Sequence, residues 1–600
     1  LADNDTSLQV EAPHGKRSKV KASAVLLRFD APPLGAFLAG AERMADDIDV
    51  DFLWQCCGED EFEYVTLARD YFGHEPSAQE SAAALIRLHG APMYFYKKGR
   101  GRYKAAPEAA LKAALAGLER KKREAALRAE YVEQLTAQTL PPALAPQVQK
   151  LLYKPDKNSL EYKAMDEAAV VRRVSHARLM LDCGAITSPH DYHFERFVLE
   201  HFPRGGAHAE MPLAATPEPD LPLASVQAYS IDDAGTTEID DAFSVTPRAT
   251  GGMRIGIHIA APALGIAPDS PAEAVARERL STVYHPAGKI TMLPDAWVAA
   301  YTLAEGRDCA ALSLYVDVSS SGEISGAETC VERVRIAGNL RHDTLEPVFN
   351  DVALAAGDIA HPWGRELRTL WEFARARCHA RLKGSPEPTQ RAEYNFNVEN
   401  GRVSITPRVR GSAIDTLVSE LMIHANSTWG GLLAQAKAPA LYRVQSAGKV
   451  RMSTVAEAHE GLGVAQYAWS TSPLRRYVDL VNQRQLIAVT RGEPLPYTKK
   501  DELLATMRDF ELAYDAYAEF QLQMERYWCL RWIEQEQRAS LAATVIREDL
   551  VRFDALPLTA RLPSVPNLPP DTPVEIAIGS IDLLDLSFHG EFVRRLDSAH

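Results

Sequence analysis

Two runs of β-forming residues, "SVQAYSI" (Ser225–Ile231) and "DAFSVTP" (Asp241–Pro247), are joined by a short connection crowded with like charge. Ten positions from Asp232 to Asp241 hold five carboxylates: Asp232, Asp233, Glu238, Asp240 and Asp241. Ile231, Ile239, Phe243 and Val245 read as buried strand residues, so the connection is tied to the core and is not a free loop. Carboxylates held together repel, and partial burial raises that cost. A hard divalent cation such as Mg²⁺ removes the conflict, because it takes one or two carboxylates together with phosphate oxygens. The alternative is a solvated turn capped by Asp232 and Asp240. Density alone does not decide, since the 600 residues include 80 Asp and Glu. In a regular strand Asp240 and Asp241 would point to opposite faces, so joint action requires an irregularity between them.

A second stretch, "YAWSTSPLRRYVDLVNQRQL" (Tyr467–Leu486), predicts a helix with Ser472 at the N-cap and Pro473 at its first position. Arg475 and Arg476 then fall in the first turn, where the helix dipole disfavours cations. They suit a place where a helix N-terminus and guanidinium groups together hold phosphate oxygens. A surface helix with Arg476 paired to Asp479 is the competing reading.

Around these stretches the chain reads as multidomain α+β. Residues 1–105 form a first domain, in which "PPLGAFLAGAERM", "FEYVTLARDYFG" and "SAQESAAALIRLHG" are helices, the last capped by Ser77 and ending at Gly90. "PMYFYKKGRGRYKAAP" follows as a hairpin, which gives the pattern of a winged helix-turn-helix. Lys97, Lys98, Arg100, Arg102 and Lys104 crowd its tip beside Tyr94, Tyr96 and Tyr103. Such a hairpin is either a solvated charged edge or a nucleic-acid contact in which cations meet phosphates and rings stack on bases. Residues 106–221 read as a long Ala/Glu/Lys-rich helix over Pro107–Leu135, further helix and a Pro/Gly/Ala-rich linker. The block 222–538 begins with strands and turns helical after about residue 410. Its last helix carries Leu503, Met507, Phe510, Tyr514, Tyr517, Gln521, Met524 and Trp528 as one core stripe. Residues 539–600 read as short strands, for which a small OB-like β-barrel is the natural form.

Seven cysteines with no CxxC pair fit neither a disulfide framework nor a zinc site, and point to a reducing, cytoplasmic setting. No apolar run approaches a membrane span, and "LADNDTSLQVEAPHGKRSKVK" lacks the apolar segment of a secretion signal. A net charge of −14 argues against a general polyanion binder but leaves room for local basic patches.

Taken together, "SIDDAGTTEIDDAFSV", "GIHIAAP", "STVYHPAGKITMLP", "SELMIHAN" with "LYRV", and "STSPLRRYVDL" resemble, in order, the RNB catalytic domain of the ribonuclease II/ribonuclease R family. The resemblance covers roughly residues 222 to 540. The C-terminal strands resemble a shortened form of that family's RNA-binding OB-fold, and the winged-helix unit stands where cold-shock domains usually do. The resemblance implies a monomeric enzyme with Mg²⁺ (one or two ions, Mn²⁺ substituting). It would hydrolyse single-stranded RNA processively from the 3′ end in a deep channel, releasing nucleoside 5′-monophosphates. Structured RNA would be engaged through the winged helix. Carried over by motif, Asp232, Glu238, Asp240 and Asp241 match the metal-site acids, with Glu238 where the family usually has Asp. Asp240 matches the most critical carboxylate, Tyr284 a tyrosine that stacks on the terminal base, and Arg475 the arginine on the reacting phosphate. Glu420 matches a residue near the RNA 3′ end and Glu525 one near the exit side, while Arg476 is expected beside the RNA. The family's second stacking aromatic is missing, its place taken by "SPEPTQ" around Pro388.

Overall fold

The computed structural model describes residues 2–12, 15–209, 220–357, 359–382 and 391–597. The chain folds as two compact units, residues 1–185 and 186–600. The helices that follow the basic hairpin thus belong with it, and the stretch read as 106–221 is divided between the two units.

In the first unit, helices Leu34–Asp47, Tyr64–Phe72 and Ala78–Gly90 appear where the sequence places them. Ser77 accepts from the backbone N–H of Glu80, and the Glu80 side chain returns the bond to Ser77 N–H. Strand Arg102–Ala105 lies between Glu61–Glu63 and Phe95–Gly99 in a three-stranded antiparallel sheet. Gly99, Arg100 and Gly101 all take positive φ, which lets the hairpin reverse in three residues. A side chain at Gly101 would also meet the Tyr64 ring at 2.9 Å. Lys97, Lys98, Arg100 and Arg102 are exposed at this turn. The rings behave differently from expectation: Tyr94 and Tyr103 are core residues with Phe95 and Leu88, and Tyr96 alone is exposed. Strand alternation explains this, because Tyr103 and Phe95 face the helices while Tyr96 points away. Helix Val50–Gln55 and a small sheet of Ala2–Asn4, Ser7–Glu11 and Arg17–Lys21 had no legible sequence signal. Helix Glu108–Thr136 starts just after Pro107 and packs with Leu160–Arg172.

At the centre of the second unit the strands expected from residue 222 onward close into a five-stranded barrel. Its strands run in the order Asp308–Val318, Ile324–Arg341, Leu223–Asp232, Asp241–Pro247, Met253–Ala260 and back to the first. Ile324–Arg341 and Leu223–Asp232 are parallel; the other neighbours are antiparallel. Both faces of Met253–Ala260 and of Asp308–Val318 are buried along most of their length. Ile255, Ile257 and Ile259 join Leu417, Leu421 and Trp429 of helix Ala413–Gln435 in one core. Ala260, Ala242 and Ala311 join Leu474, Tyr477 and Leu480 in another. The alternation legible in "MRIGIHIAAP" is therefore one between two buried faces, not between a buried and a solvated one. His258 is fully buried, bonded to Ser244 Oγ and Ser313 Oγ at 2.8 Å each.

Helix Tyr477–Arg491 carries a run of polar residues that would suit a solvated surface, yet Tyr477 to Ala488 are all buried. Each amide of that run serves a neighbouring loop. Asn482 bonds Leu441 N–H and the carbonyls of Leu441 and Trp469; Gln483 bonds Ala260 C=O and Ala263 N–H; Gln485 bonds the carbonyls of Pro439 and Tyr497. Polar side chains are tolerated there because they satisfy loop backbone that would otherwise be buried without partners.

The long helix Asp501–Gln535 buries Leu503, Phe510, Tyr517, Met524 and Trp528 as expected, but Gln521 is exposed. After it, five antiparallel strands form one sheet in the order Thr559–Arg561, Leu550–Phe553, Ser540–Arg547, Pro573–Asp582, Ser587–Arg595. Their core of Val545, Val551, Phe553, Val574 and Ile576 continues onto Cys529, Leu530 and Ile533 of the helix.

Candidate active site

Strands Leu223–Asp232 and Asp241–Pro247 register on each other only at Tyr229 and Phe243. Beyond that pair the chain leaves the ladder, and Thr237–Asp240 runs as irregular backbone. Thr302 Oγ1 pins it, donating to Thr237 C=O and accepting from Ile239 N–H, both at 2.9 Å. Arg341 holds the other end through the carbonyls of Asp233 and Thr236. Asp240 thus precedes the strand that Asp241 begins, which supplies the irregularity those two acids need to act together.

The Asp240 carboxylate is almost completely buried. Leu474 N–H donates to one oxygen at 2.9 Å and Arg475 Nε to the other at 3.1 Å. Burial pushes its pKa up to about 7 against the opposing pull of Arg475. Asp241 is held well above the usual carboxylate range by burial and by repulsion from Asp232 and Asp240. Burial raises Asp232 to about 6, with Asp233 adding to the rise. Of these three carboxyls, Asp232 and Asp241 have no ion pair among the described residues, whereas Asp240 has Arg475.

Glu238 is satisfied differently. Thr282 Oγ1 donates to its Oε1 at 2.7 Å, and Lys289 Nζ and the Tyr284 hydroxyl donate to Oε2 at 2.7 and 3.3 Å. Tyr284 and Lys289 face each other across the hairpin Val283–His285/Gly288–Ile290. This hairpin is tied to the arginine turn, since Thr282 N–H and Ser281 Oγ both donate to Arg475 C=O.

Ser472 does not cap a helix here. Residues 473–475 form a turn, and the helix begins at Tyr477 with Arg476 at its N-cap. The buried Asp479 carboxylate causes the difference: it accepts from Ser472 N–H at 2.9 Å and from Arg476 Nη2 at 2.8 Å, folding the turn back on the helix. Arg476 lies on the Trp469 ring as well, 4.1 Å from its centroid. It makes the ion pair with Asp479 that the sequence offered as an alternative, though on a buried helix. Arg475 is left to the acids, with Nε on Asp240 and Nη2 on Ser472 Oγ at 2.8 Å.

A cleft of about 1040 Å³ adjoins this group, lined among others by Asp233, Tyr284, His342, Phe396, Gln521 and Glu525. Burial raises the Glu525 pKa, and Gln521 donates to it at 2.9 Å. Tyr284 belongs to both places, its ring in the cleft and its hydroxyl on Glu238. Glu420 lies elsewhere: Arg381 grips it through Nε and Nη2, and it lines a separate cavity of about 230 Å³ with Arg377 and His424. Lys97, Lys98, Arg100 and Arg102 are in the first unit. The "SPEPTQ" replacement lies outside the described residues. The roles of Lys289, Thr282 and Thr302 were not legible in the sequence, because their partners lie about 45 to 65 positions away.

Among the described residues no three His, Cys, Asp or Glu side chains are arranged to hold a metal ion. The oxygens present still fit a hard divalent cation of the kind that completes its shell with water and phosphate. Asp232 Oδ2 is buried without a hydrogen-bond partner, and Asp241 beside it is raised by the same repulsion. Those two acids are the available ligands, because both oxygens of Asp240 and of Glu238 are already engaged.

The RNB-domain family model matches residues 221–453 and 446–492, the stretch that contains the barrel, the acidic loop, the Tyr284 hairpin and the Arg475 turn. Residues 221–492 match an RNB domain. A curated relative, an uncharacterised ribonuclease of Synechocystis, is 27% identical over 356 residues, covering 53% of this chain and 51% of its own. The chain therefore spans about half the length of that relative. Among solved structures, an active-site mutant of the Dss1 exoribonuclease from Candida glabrata superposes with a TM-score of 0.64. It is 15% identical and covers 96% of this chain and 92% of its own. Yeast Ssd1, described as a pseudonuclease, superposes at 0.50 with 17% identity, covering 62% and 56%. At such identities the likeness is one of fold, and the RNB fold accommodates a nuclease and a pseudonuclease alike.

Proposed function

We propose that this RNB domain is a 3′→5′ exoribonuclease that hydrolyses single-stranded RNA to nucleoside 5′-monophosphates with the help of Mg²⁺ or Mn²⁺. The observation that carries the reading is the contact of Arg475 Nε with the buried Asp240, 3.1 Å away, beside a tyrosine that opens onto a large cleft. Asp232 and Asp241 would hold the divalent ion, which supplies charge neutralisation on the phosphate and an activated water. The chain's own groups do the rest. Asp240 orients Arg475, Arg475 presents a fixed positive charge to the reacting phosphate, and Tyr284 stacks on the terminal base. Gln521 and Glu525 line the path beyond it. The C-terminal five-stranded sheet serves as an OB-like RNA-binding module. The first unit, read as a winged helix, captures RNA through Lys97, Lys98, Arg100 and Arg102 and favours structured substrates. Action in RNA decay by a cytoplasmic monomer accords with this reading.

A silent RNB-fold RNA binder is the second reading, favoured by one observation: Glu238 stands where the family usually has Asp and is held by Lys289. Asp240→Asn separates the two. Labelled RNA should still bind, while release of mononucleotides falls by about three orders of magnitude or more. Equal mononucleotide release by variant and parent would refute the assignment, and no Mg²⁺-dependent release by the parent would favour the silent binder.

A further inference from the structure

Glu238 is nearly inaccessible, its side chain 1% exposed, and a lysine already neutralises it. Lys289 Nζ donates to Glu238 Oε2 and to Thr237 Oγ1, each at 2.7 Å, so the ammonium is fixed on both sides of one peptide unit. The same Glu238 oxygen accepts from the Tyr284 hydroxyl, and Lys289 is the direct cross-strand partner of Tyr284. Compared with Asp, the extra methylene carries the carboxylate about one C–C bond further, which allows it to reach the hairpin. A divalent ion at Glu238 would have to displace an ammonium from a buried partner, and stripping a buried ion pair of one member costs several kcal/mol.

We propose that Lys289 is a resident cation of the acidic group. It takes the place of a divalent ion at Glu238, and the Lys289–Glu238 pair positions Tyr284 over the cleft. Divalent metal is then confined to Asp232 and Asp241. This inference rests on the metal-dependent reading above, and its two consequences are read without turnover. In the full chain without RNA, Mn²⁺ binding followed by electron paramagnetic resonance should change by no more than about threefold in Glu238→Gln. Asp241→Asn should weaken it by tenfold or more, about the cost of disturbing a real ligand shell.

In chelator, an RNA with 2-aminopurine at its 3′ end should stack and lose fluorescence on the parent protein. Lys289→Met should abolish that quenching, and Lys289→Arg should restore it, an outcome that a general loss of packing would not give. Equal weakening of Mn²⁺ by Glu238→Gln and Asp241→Asn would overturn the proposal, as would unaltered quenching in Lys289→Met. Mn²⁺ binding indifferent to Asp241→Asn would instead sink the metal-dependent reading, leaving the quenching result to judge Lys289 by itself.

Discussion

Replacing Asp240 with Asn should change how stability depends on pH as well as removing catalysis. The native carboxyl sits near pKa 7, raised by burial, whereas in the unfolded chain it titrates near 4. Between those values the native state keeps a proton that the unfolded state gives up. Stability therefore falls as pH rises from about 4 to about 7, and the loss is complete above the native value. A gap of about three pH units, at roughly 1.4 kcal/mol each, amounts to about 4 kcal/mol. An amide has no such proton to lose.

The comparison must be a difference of differences, because other groups titrate too: buried His258, lowered to about 3, and His285 and His424, each lowered to about 4, act with the opposite sign. Chemical denaturation of the full chain in chelator, at pH 5 and pH 8, should show the parent losing more stability than Asp240→Asn on going to pH 8. The excess should be a few kcal/mol, somewhat below the full figure because pH 5 lies inside the titration window. Parallel behaviour of the two proteins would mean that burial does not raise Asp240, and the case for a strained acidic site would fall.

Two further outcomes can be measured directly. Substituting Lys97, Lys98, Arg100 and Arg102 together by Ala should weaken RNA binding across sequences and reduce the slope of log K against log salt by about three, the contribution of four phosphate contacts on a single strand; an unchanged slope would return the hairpin to a solvated edge. Asp479→Ala leaves Arg476 buried without its partner and frees the turn at Ser472, so it should cost about 3–5 kcal/mol in chemical denaturation, whereas a change below about 1 kcal/mol, typical of an exposed pair, would contradict the buried geometry.

Much of the site was legible because its key residues are local in sequence. Asp232, Asp240 and Asp241 lie within ten positions, and Arg475 follows a Ser-Pro turn signal. The helix over "SAQESAAALIRLHG" and the Gly-Arg-Gly turn were legible for the same reason, since caps and positive-φ turns are decided by neighbours along the chain. Local rules misplaced residues where a distant partner intervened. Ser472 looks like a cap until Asp479 takes its N–H, and Gln521 looks like core by spacing although its face of the helix opens on the cleft.

What the sequence by itself determined is a crowd of acids wedged between buried strands and an arginine turn near it in kind, if not in place. Only the tertiary structure decided how each charge is answered: Asp240 by Arg475, Glu420 by Arg381, Glu238 by Lys289, while Asp232 and Asp241 feel only the pull of Arg475 and, for Asp232, Arg341, with no ion pair among the described residues. The reason is physical. Repulsion between like charges is fixed by their spacing along the backbone, but the counter-charges come from hairpins and helices tens to hundreds of residues away. Which of them arrives is settled by packing, to within the length of a hydrogen bond.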